Sequence, residues 1–403
     1  MAARYIVPAL AVAGRAVAQS SSSSSCSVDG TTTIQNQGDA SALSGCSTFS
    51  GNIAIATGTT NSISLDGIQR IQGSLIADNV TQLTSFSAND LATIDDDFTL
   101  SGLTILSTLS FPALTSVNSI DWTALPALQG LSFSAGVQQA SSVSIQNTQL
   151  TSLDGINLQT VDSMIIANNP YLNDIDMQLG NVTQALTLEA NGRNVTANFP
   201  NMEWAYNITF RNVSSVSTPS LASINGSYGM FANFFSSVAA PNLTSIGGSL
   251  SFVSNMDMTN LSFPELKTVG GGLQVANNTE LGDIDFPALT TVSGALDFYG
   301  NFSTVELPQL SDVKGAFNLQ SSEDISAACN HFKPLSGNNN VIKGTYTCAG
   351  KESTPGGTGT LSSGTNSGSG SGSSSTASSA ASAMYISGAT GVMGVIAAIF
   401  GML

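Results

Sequence analysis

The chain has 403 residues, 41% of them apolar and only 9% charged, with 26 acidic against 10 basic residues and a formal net charge of -16. No cluster of Lys and Arg is available to neutralise a phosphate backbone, which excludes a nucleic-acid partner. A single histidine, His331, leaves little material for imidazole chemistry.

Residues 1–18 read as a secretory signal peptide. Arg4 is followed by an apolar run over 5–13 and by Ala16-Val17-Ala18 as a small-residue cleavage site. A serine run over 20–25 comes next and would not continue a helix. Secretion permits disulfides, and four cysteines are present: Cys26 and Cys46 near one end, Cys329 and Cys348 near the other. Four cysteines allow three connectivities. Coil order favours the sequence-local pairs, each closing a terminal cap. A zinc site would need all four thiolates together, or help from His331.

Between the cysteine pairs, apolar residues two apart recur every 20 to 23 residues, thirteen times, from Ile53/Ile55 through Leu186/Leu188 and Leu250/Phe252 to Phe317/Leu319. Two inward positions flanking one outward position describe a short strand with one buried face. Repetition at this period predicts a solenoid of stacked coils. In the later coils a unit such as Pro264-x-Leu266-x-x-Val269 or Pro287-x-Leu289-x-x-Val292 precedes each strand, followed by a corner such as Gly270-Gly271-Gly272. Proline fixes φ and cannot donate to a ladder, so it marks a return segment, while glycine suits a sharp corner.

Three residues past the strand pair, the last eight coils carry Asn169, Asn191, Val213, Asn233, Asn255, Asn278, Asn301 and Ser322. Asparagine recurring at one structural position predicts an internal ladder of buried amides. N-x-S/T sequons occur at Asn79, Asn181, Asn194, Asn207, Asn212, Asn225, Asn242, Asn260, Asn277 and Asn301. The first nine lie off the ladder and are candidate N-glycosylation sites. Asn301 is expected to be a buried rung and therefore bare.

At the C-terminus, residues 388–403 are apolar and uncharged, too short for a comfortable membrane span of about 20 residues. They follow a Gly/Ser/Thr stretch over 353–372 and a Ser/Ala stretch over 373–383. Small residues, a spacer and a terminal apolar tail make a GPI-attachment signal, with the anchor expected near Ser378.

The repeated F-P-x-L-x-x-V-x-G-x-L units, clearest at 263–275 and 286–298, together with coils of about 22 residues, terminal cysteine pairs and a Ser/Gly stalk with a GPI signal, carry a resemblance. The chain resembles fungal GPI-anchored cell-wall organisation glycoproteins with receptor L-domain-like repeats. The resemblance implies an all-β, right-handed parallel β-helix or leucine-rich-type solenoid of about 13 coils with disulfide-closed caps. It further implies residence at the plasma membrane and cell wall, a role in wall integrity, and no known catalytic residues. The expected organisation is a signal peptide over 1–18, a solenoid over 19–350, a stalk over 351–378 and a GPI propeptide over 379–403. Thirteen coils exceed one compact L domain, so residues 131–139 could mark a seam between two fused units.

The search for chemistry yields no catalytic, metal or cofactor site. Asp95-Asp96-Asp97 could ligate Ca²⁺, but consecutive carboxylates diverge and ordinarily mark a solvated turn. Asp283 and Asp285 alternate around Ile284, which packing explains. Phe231, Phe234 and Phe235 are either core or a partner-binding patch. The candidate binding face is the outward strand position between each inward pair: Thr187, Ser251, Gln274, Asp297 and Asn318, flanked by Glu189, Arg211 and Tyr299. Rows of hydroxyls, amides and a carboxylate could follow a polysaccharide chain. The expected function is a non-catalytic wall glycoprotein that binds wall polysaccharide or wall proteins and reaches the membrane through its lipid. The competing functions are a β-helical enzyme acting on wall polysaccharide, which would need two carboxylates about 5 to 9.5 Å apart, and a surface adhesin or receptor.

Overall fold

All thirteen apolar pairs stand in one column. A computed structural model, which describes residues 26–337 and 340–357, aligns Ile53 with Leu75, Leu75 with Phe98, and so on through Leu250, Leu273, Leu296 and Phe317 in an unbroken parallel register. The expected signal peptide over 1–18, the expected anchor position Ser378 and the expected propeptide over 379–403 lie outside the described residues. The fold is a parallel β-solenoid of about 13 turns.

One 21-stranded parallel sheet runs the length of the solenoid. Its strands are long in the N-terminal half, as in Thr93–Ser101 and Ser116–Leu125. In the last coils each is split into a two-residue piece and a longer piece, as in Thr268–Val269 and Leu273–Ala276. The split falls at the glycine corner, so the apolar residue ending each Pro-led unit, such as Val269 or Val292, already belongs to the main sheet. The prolines sit in the turns that lead into it. Short strands on the return side form small parallel sheets of their own, including Asp174–Asp176 with Thr196–Asn198 and Asp283–Asp285 with Thr304–Glu306. A coil is thus two strand rows joined by turns, a second row that the Pro-Leu spacing alone did not announce.

The interior is one continuous apolar cluster from Ile34 to Ile342. It passes through the irregular segment over 131–139 without interruption, because Phe133 lies edge-on to both Phe111 and Trp122 at centroid distances of 5.8 and 5.9 Å. Both ends are closed covalently. Cys26–Cys46 and Cys329–Cys348 are disulfides with Cα separations of 5.5 and 5.6 Å. The N-terminal strand Ser27–Ile34 and the C-terminal strand Tyr346–Ala349 each add one further rung to the main sheet.

The asparagine ladder exists and has a definite geometry. At coil after coil a residue with φ between 50 and 58° turns the chain inward: Asn168, Ala190, Asn212, Ala232, Ser254 and Asn277. The residue after it places its side chain inside. Asn255 Nδ2 donates to the Met230 carbonyl at 3.0 Å and to Asn278 Oδ1 at 3.1 Å, and Asn255 Oδ1 accepts from the backbone N–H and Nδ2 of Asn233. Each amide thereby satisfies backbone groups of the preceding coil that packing would otherwise orphan. The column runs through Thr148, Asn169 and Asn191, breaks at Val213, and resumes through Asn233, Asn255 and Asn278.

Asn301 is not a rung. The strand Leu296–Gly300 runs one residue further in register, Gly300 opposite Ser321, and Gly300 has φ 156° in place of the tight inward turn. Asn301 is consequently swung into solvent, its Nδ2 on the Thr279 carbonyl at 3.4 Å, and Phe302 takes the interior. The expectation that burial keeps this sequon bare is overturned.

Candidate functional site

The predicted binding stripe is in register but is not open. Thr187, Gly229, Ser251, Gln274, Asp297 and Asn318 follow one another along one column of the main sheet. Thr187, Glu189, Arg211 and Tyr299 are half-buried. Ser251, Gln274, Asp297 and Asn318 are only 2, 5, 5 and 0% exposed, although they point away from the core.

Two coverings lie along the stripe. At the middle of the stripe the Phe231 ring folds back over Gly229, occupying the place a side chain there would need, and the Arg211 guanidinium lies 5.1 Å over the same ring. Toward the C-terminal end, the segment after the last strand doubles back across the sheet. Asn318 Nδ2 donates to the Gly356 carbonyl at 3.1 Å, and the Gly356 N–H donates to Gln320 Oε1 at 3.1 Å. Gly357 then lies so close to Asp297 and Tyr299 that an added Cβ would stand 2.9 Å from Asp297 Oδ2. Lys351 anchors the start of this strap to Asp324 at 2.8 Å and holds the Asp324 carboxyl well below its usual range, with hydrogen bonds from Ser326 adding to the effect.

Beneath the strap the polar groups satisfy one another. Gln274 Nε2 and Asn318 Nδ2 both donate to the Asp297 carboxylate, at 3.3 and 2.8 Å, and Gln320 Nε2 donates to Asn318 Oδ1 at 3.0 Å. Burial, and then the Asp297 charge, raises the Tyr299 phenol above its ordinary pKa. Sequence alternation identified the direction of these side chains, not what lies on top of them.

The aromatic triplet divides in the same way. Phe235 is core, whereas Phe231 and Phe234 are half-buried and each lies under an arginine, Arg211 and Arg193 respectively. Asp95 forms a two-pronged ion pair with Arg70, Nε to Oδ1 at 3.0 Å and Nη2 to Oδ2 at 2.8 Å. Among the described residues no three His, Cys, Asp or Glu side chains converge as a metal site would require. His331 is exposed, edge-on to Phe332.

All nine candidate glycan acceptors are exposed or half-exposed. Asn79, Asn194, Asn225, Asn242, Asn260 and Asn277 are exposed; Asn181, Asn207 and Asn212 are half-buried. Asn207 uses Oδ1 to accept the Ser227 N–H at 2.8 Å, which leaves its amide nitrogen for substitution.

One pairing escaped the sequence. The return-side strands set Asp285 directly opposite Glu306. Burial and the neighbouring Glu306 charge push the Asp285 carboxyl above its usual range. In the folded chain Asp285 therefore takes up its proton at higher pH than in the unfolded chain. The resulting penalty is present at neutral pH and fades as pH falls through the raised value. Asp285→Asn is expected to raise stability near pH 7 by about 0.5 kcal/mol, the scale of a like-charge cross-strand pair, and to change little near pH 3. Urea unfolding at both pH values checks it.

Two surface depressions follow the bend within the strands of the main sheet. One, of about 660 Å³, is lined by residues that include Arg70, Asp95, Ser116, Asn118, Gln139, Ser141 and Thr160. The other, of about 330 Å³, is lined by Asn225, Ser245, Gly247, Thr268, Gly270 and Ser293, among others.

Comparison with known proteins finds relatives over most of the chain. A profile of a family described as "Ecm33: GPI-anchored cell wall organization protein" matches residues 1–44. Protein ecm33 of Aspergillus fumigatus is 42% identical over 369 residues, covering 90% of this chain and 91% of its own length. A cell surface GPI-anchored protein of Arthroderma benhamiae is 42% identical, covering 87% of this chain and 88% of its own. Cell wall protein ecm33 of Schizosaccharomyces pombe is 37% identical over 84% of this chain and 80% of its own. No solved structure matches the chain.

Proposed function

Because this chain belongs to the Ecm33 family of GPI-anchored cell wall organization proteins, we propose that it is a non-catalytic, lipid-tethered glycoprotein that supports wall organisation by binding wall polysaccharide or wall proteins. It belongs to the extracellular face of the plasma membrane and to the cell wall. The observation that carries the reading is sequence identity spread over nine-tenths of the chain, so that the relatives share the whole solenoid rather than one module. The structure supports it with a long, rigid body on which polar side chains recur coil by coil. Such a surface suits an extended partner engaged through many shallow contacts rather than a small substrate held in a deep cleft.

The test uses glycosylated protein purified from cells that make it, incubated with particulate β-glucan, chitin and mannan and with solubilised wall proteins. Saturable retention without release of soluble sugar is the expected result. Retention by none of these removes the binding role, and release of reducing ends removes the non-catalytic one. The register pair Asp285 and Glu306, two carboxylates on adjacent strands, gives the enzymatic alternative a specific footing. Any cleavage that survives Asp285→Asn would have to come from elsewhere.

A further inference from the structure

The larger depression differs from the predicted stripe in three respects, and together they give it a ligand. It lies where the long N-terminal strands bend, the pairing of Thr93–Ser101 with Ser116–Leu125 slipping register between Ile94 and Asp97. Such irregularities kink a strand and re-aim its side chains. Ile94, Val117 and Ala140 are buried along the floor, and the rim is polar.

The first difference is that its hydrogen-bonding capacity is unspent. The side chains of Ser116, Asn118, Gln139, Ser141 and Thr160 make no hydrogen bond to the described protein, whereas Gln274, Asp297, Asn318 and Gln320 are tied to one another and to the strap. The second is charge. Arg70 and Asp95 neutralise each other at the rim, which leaves hydroxyls and amides as the recognition groups. On a chain with a net charge of -16, that arrangement selects against an anionic polymer and for a neutral one. The third is access. Of the ten sequons only Asn79 precedes Asn181, and it sits at the far end of its strand, just past Leu75–Asp78. Asn181 lies opposite Thr160 on the next coil, so a glycan there bounds the trough at its C-terminal end and leaves the coils from Arg70 to Ser141 clear. The smaller depression, by contrast, is lined by Asn225, itself a sequon, so a glycan there would fill it.

We propose that the trough from Arg70 to Thr160 binds a neutral, extended polysaccharide chain laid along the solenoid axis. Successive coils are about 4.8 Å apart, so the trough offers a fresh hydroxyl or amide at intervals close to the advance of one pyranose in an extended glycan. Its lining contains no aromatic ring, so binding rests on many polar contacts of small individual worth, and retention is expected to rise steeply with chain length. The inference rests on the proposed wall-binding role and narrows it to one surface and one chemistry.

Gln139→Asn converts residues 139–141 into Asn-Ala-Ser, a sequon that would plant a glycan in the trough. The control is Gln139→Asn with Ser141→Ala, which cannot be glycosylated there. A second variant, Asn118→Ala with Gln139→Ala, removes two amides without adding bulk. Whole protein purified from cells is tested for retention on particulate β-glucan, chitin and mannan, with polygalacturonate as the anionic comparison and glycan occupancy at 139 read by mass spectrometry. Retention on at least one neutral polymer and not on polygalacturonate is expected, falling about tenfold or more with the glycan wedge or the double alanine and much less with the sequon control. Unchanged retention with residue 139 glycosylated, or with both amides removed, overturns the trough while leaving the wall-binding role standing. Failure of the unaltered protein to bind any neutral polymer, with wall proteins still retained, overturns the trough alone; failure with both overturns the wider role as well.

Discussion

Asn255→Ala is expected to cost the solenoid about 2 to 5 kcal/mol, far more than an ordinary surface substitution, because two buried backbone groups lose their partners at once. The Asn233 N–H donates to Asn255 Oδ1 at 3.0 Å, and the Met230 carbonyl accepts from Asn255 Nδ2 at 3.0 Å. Both lie between coils, where Asn255 is 0% exposed and water cannot replace the amide. Asn301→Ala supplies the comparison, since that amide is outside the column and its loss should move the unfolding midpoint by less than about 0.5 kcal/mol. Urea unfolding followed by tryptophan fluorescence or circular dichroism measures both. Equal midpoints for the two variants would show that the ladder is decorative.

Gly270→Ala is expected to be at least as damaging, about 3 kcal/mol or more, for a steric reason. A Cβ on Gly270 would run into the carbonyl of Gly247, the corner residue one coil earlier, and that obstacle is backbone held by the sheet on both sides. Backbone cannot rotate aside as a side chain can, so the coils must separate. Gly282→Ala meets nothing within 4 Å and has no positive φ. It is expected to be neutral or to stabilise by about 0.5 kcal/mol through a less flexible unfolded chain. If both variants unfold at the wild-type midpoint, the glycine corners do not set the stacking distance.

The contrast between these two glycines also shows what a sequence can express. The 22-residue pitch, the thirteen apolar pairs and the end disulfides were readable because each follows from periodicity or from cysteine placement, and the same interior positions recur in every coil. The ladder was readable for the same reason at Asn169, Asn191, Asn233, Asn255 and Asn278. It failed at Asn301 because the deciding residue is the one before it: Gly300 continues the strand where Asn277 and Ser254 turn inward.

The binding stripe failed differently. Alternation correctly aims Gln274 and Asp297 away from the core, but the covering groups come from Gly356 and Gly357, 36 to 38 residues beyond their partners Gln320 and Asn318. Nothing in the local pattern of the stripe records them. The opposition of Asp285 and Glu306 was hidden because three-residue strands carry too little periodicity to reveal their register. The trough was hidden because a bend in the strands creates it, and no motif marks a bend.

The returning segment has a mechanical consequence. Any tension applied to the polypeptide beyond Gly357 reaches the folded body on the flank of the sheet beside Asp297, not at its end, and is met first by the weak links to Asn318, Gln320 and Asp324. These can peel one at a time and re-form when slack returns. The terminal strand Tyr346–Ala349 comes next, but Cys348 is bonded to Cys329, so the chain between them cannot be drawn out and the load passes through the disulfide to Cys329 in the C-terminal cap.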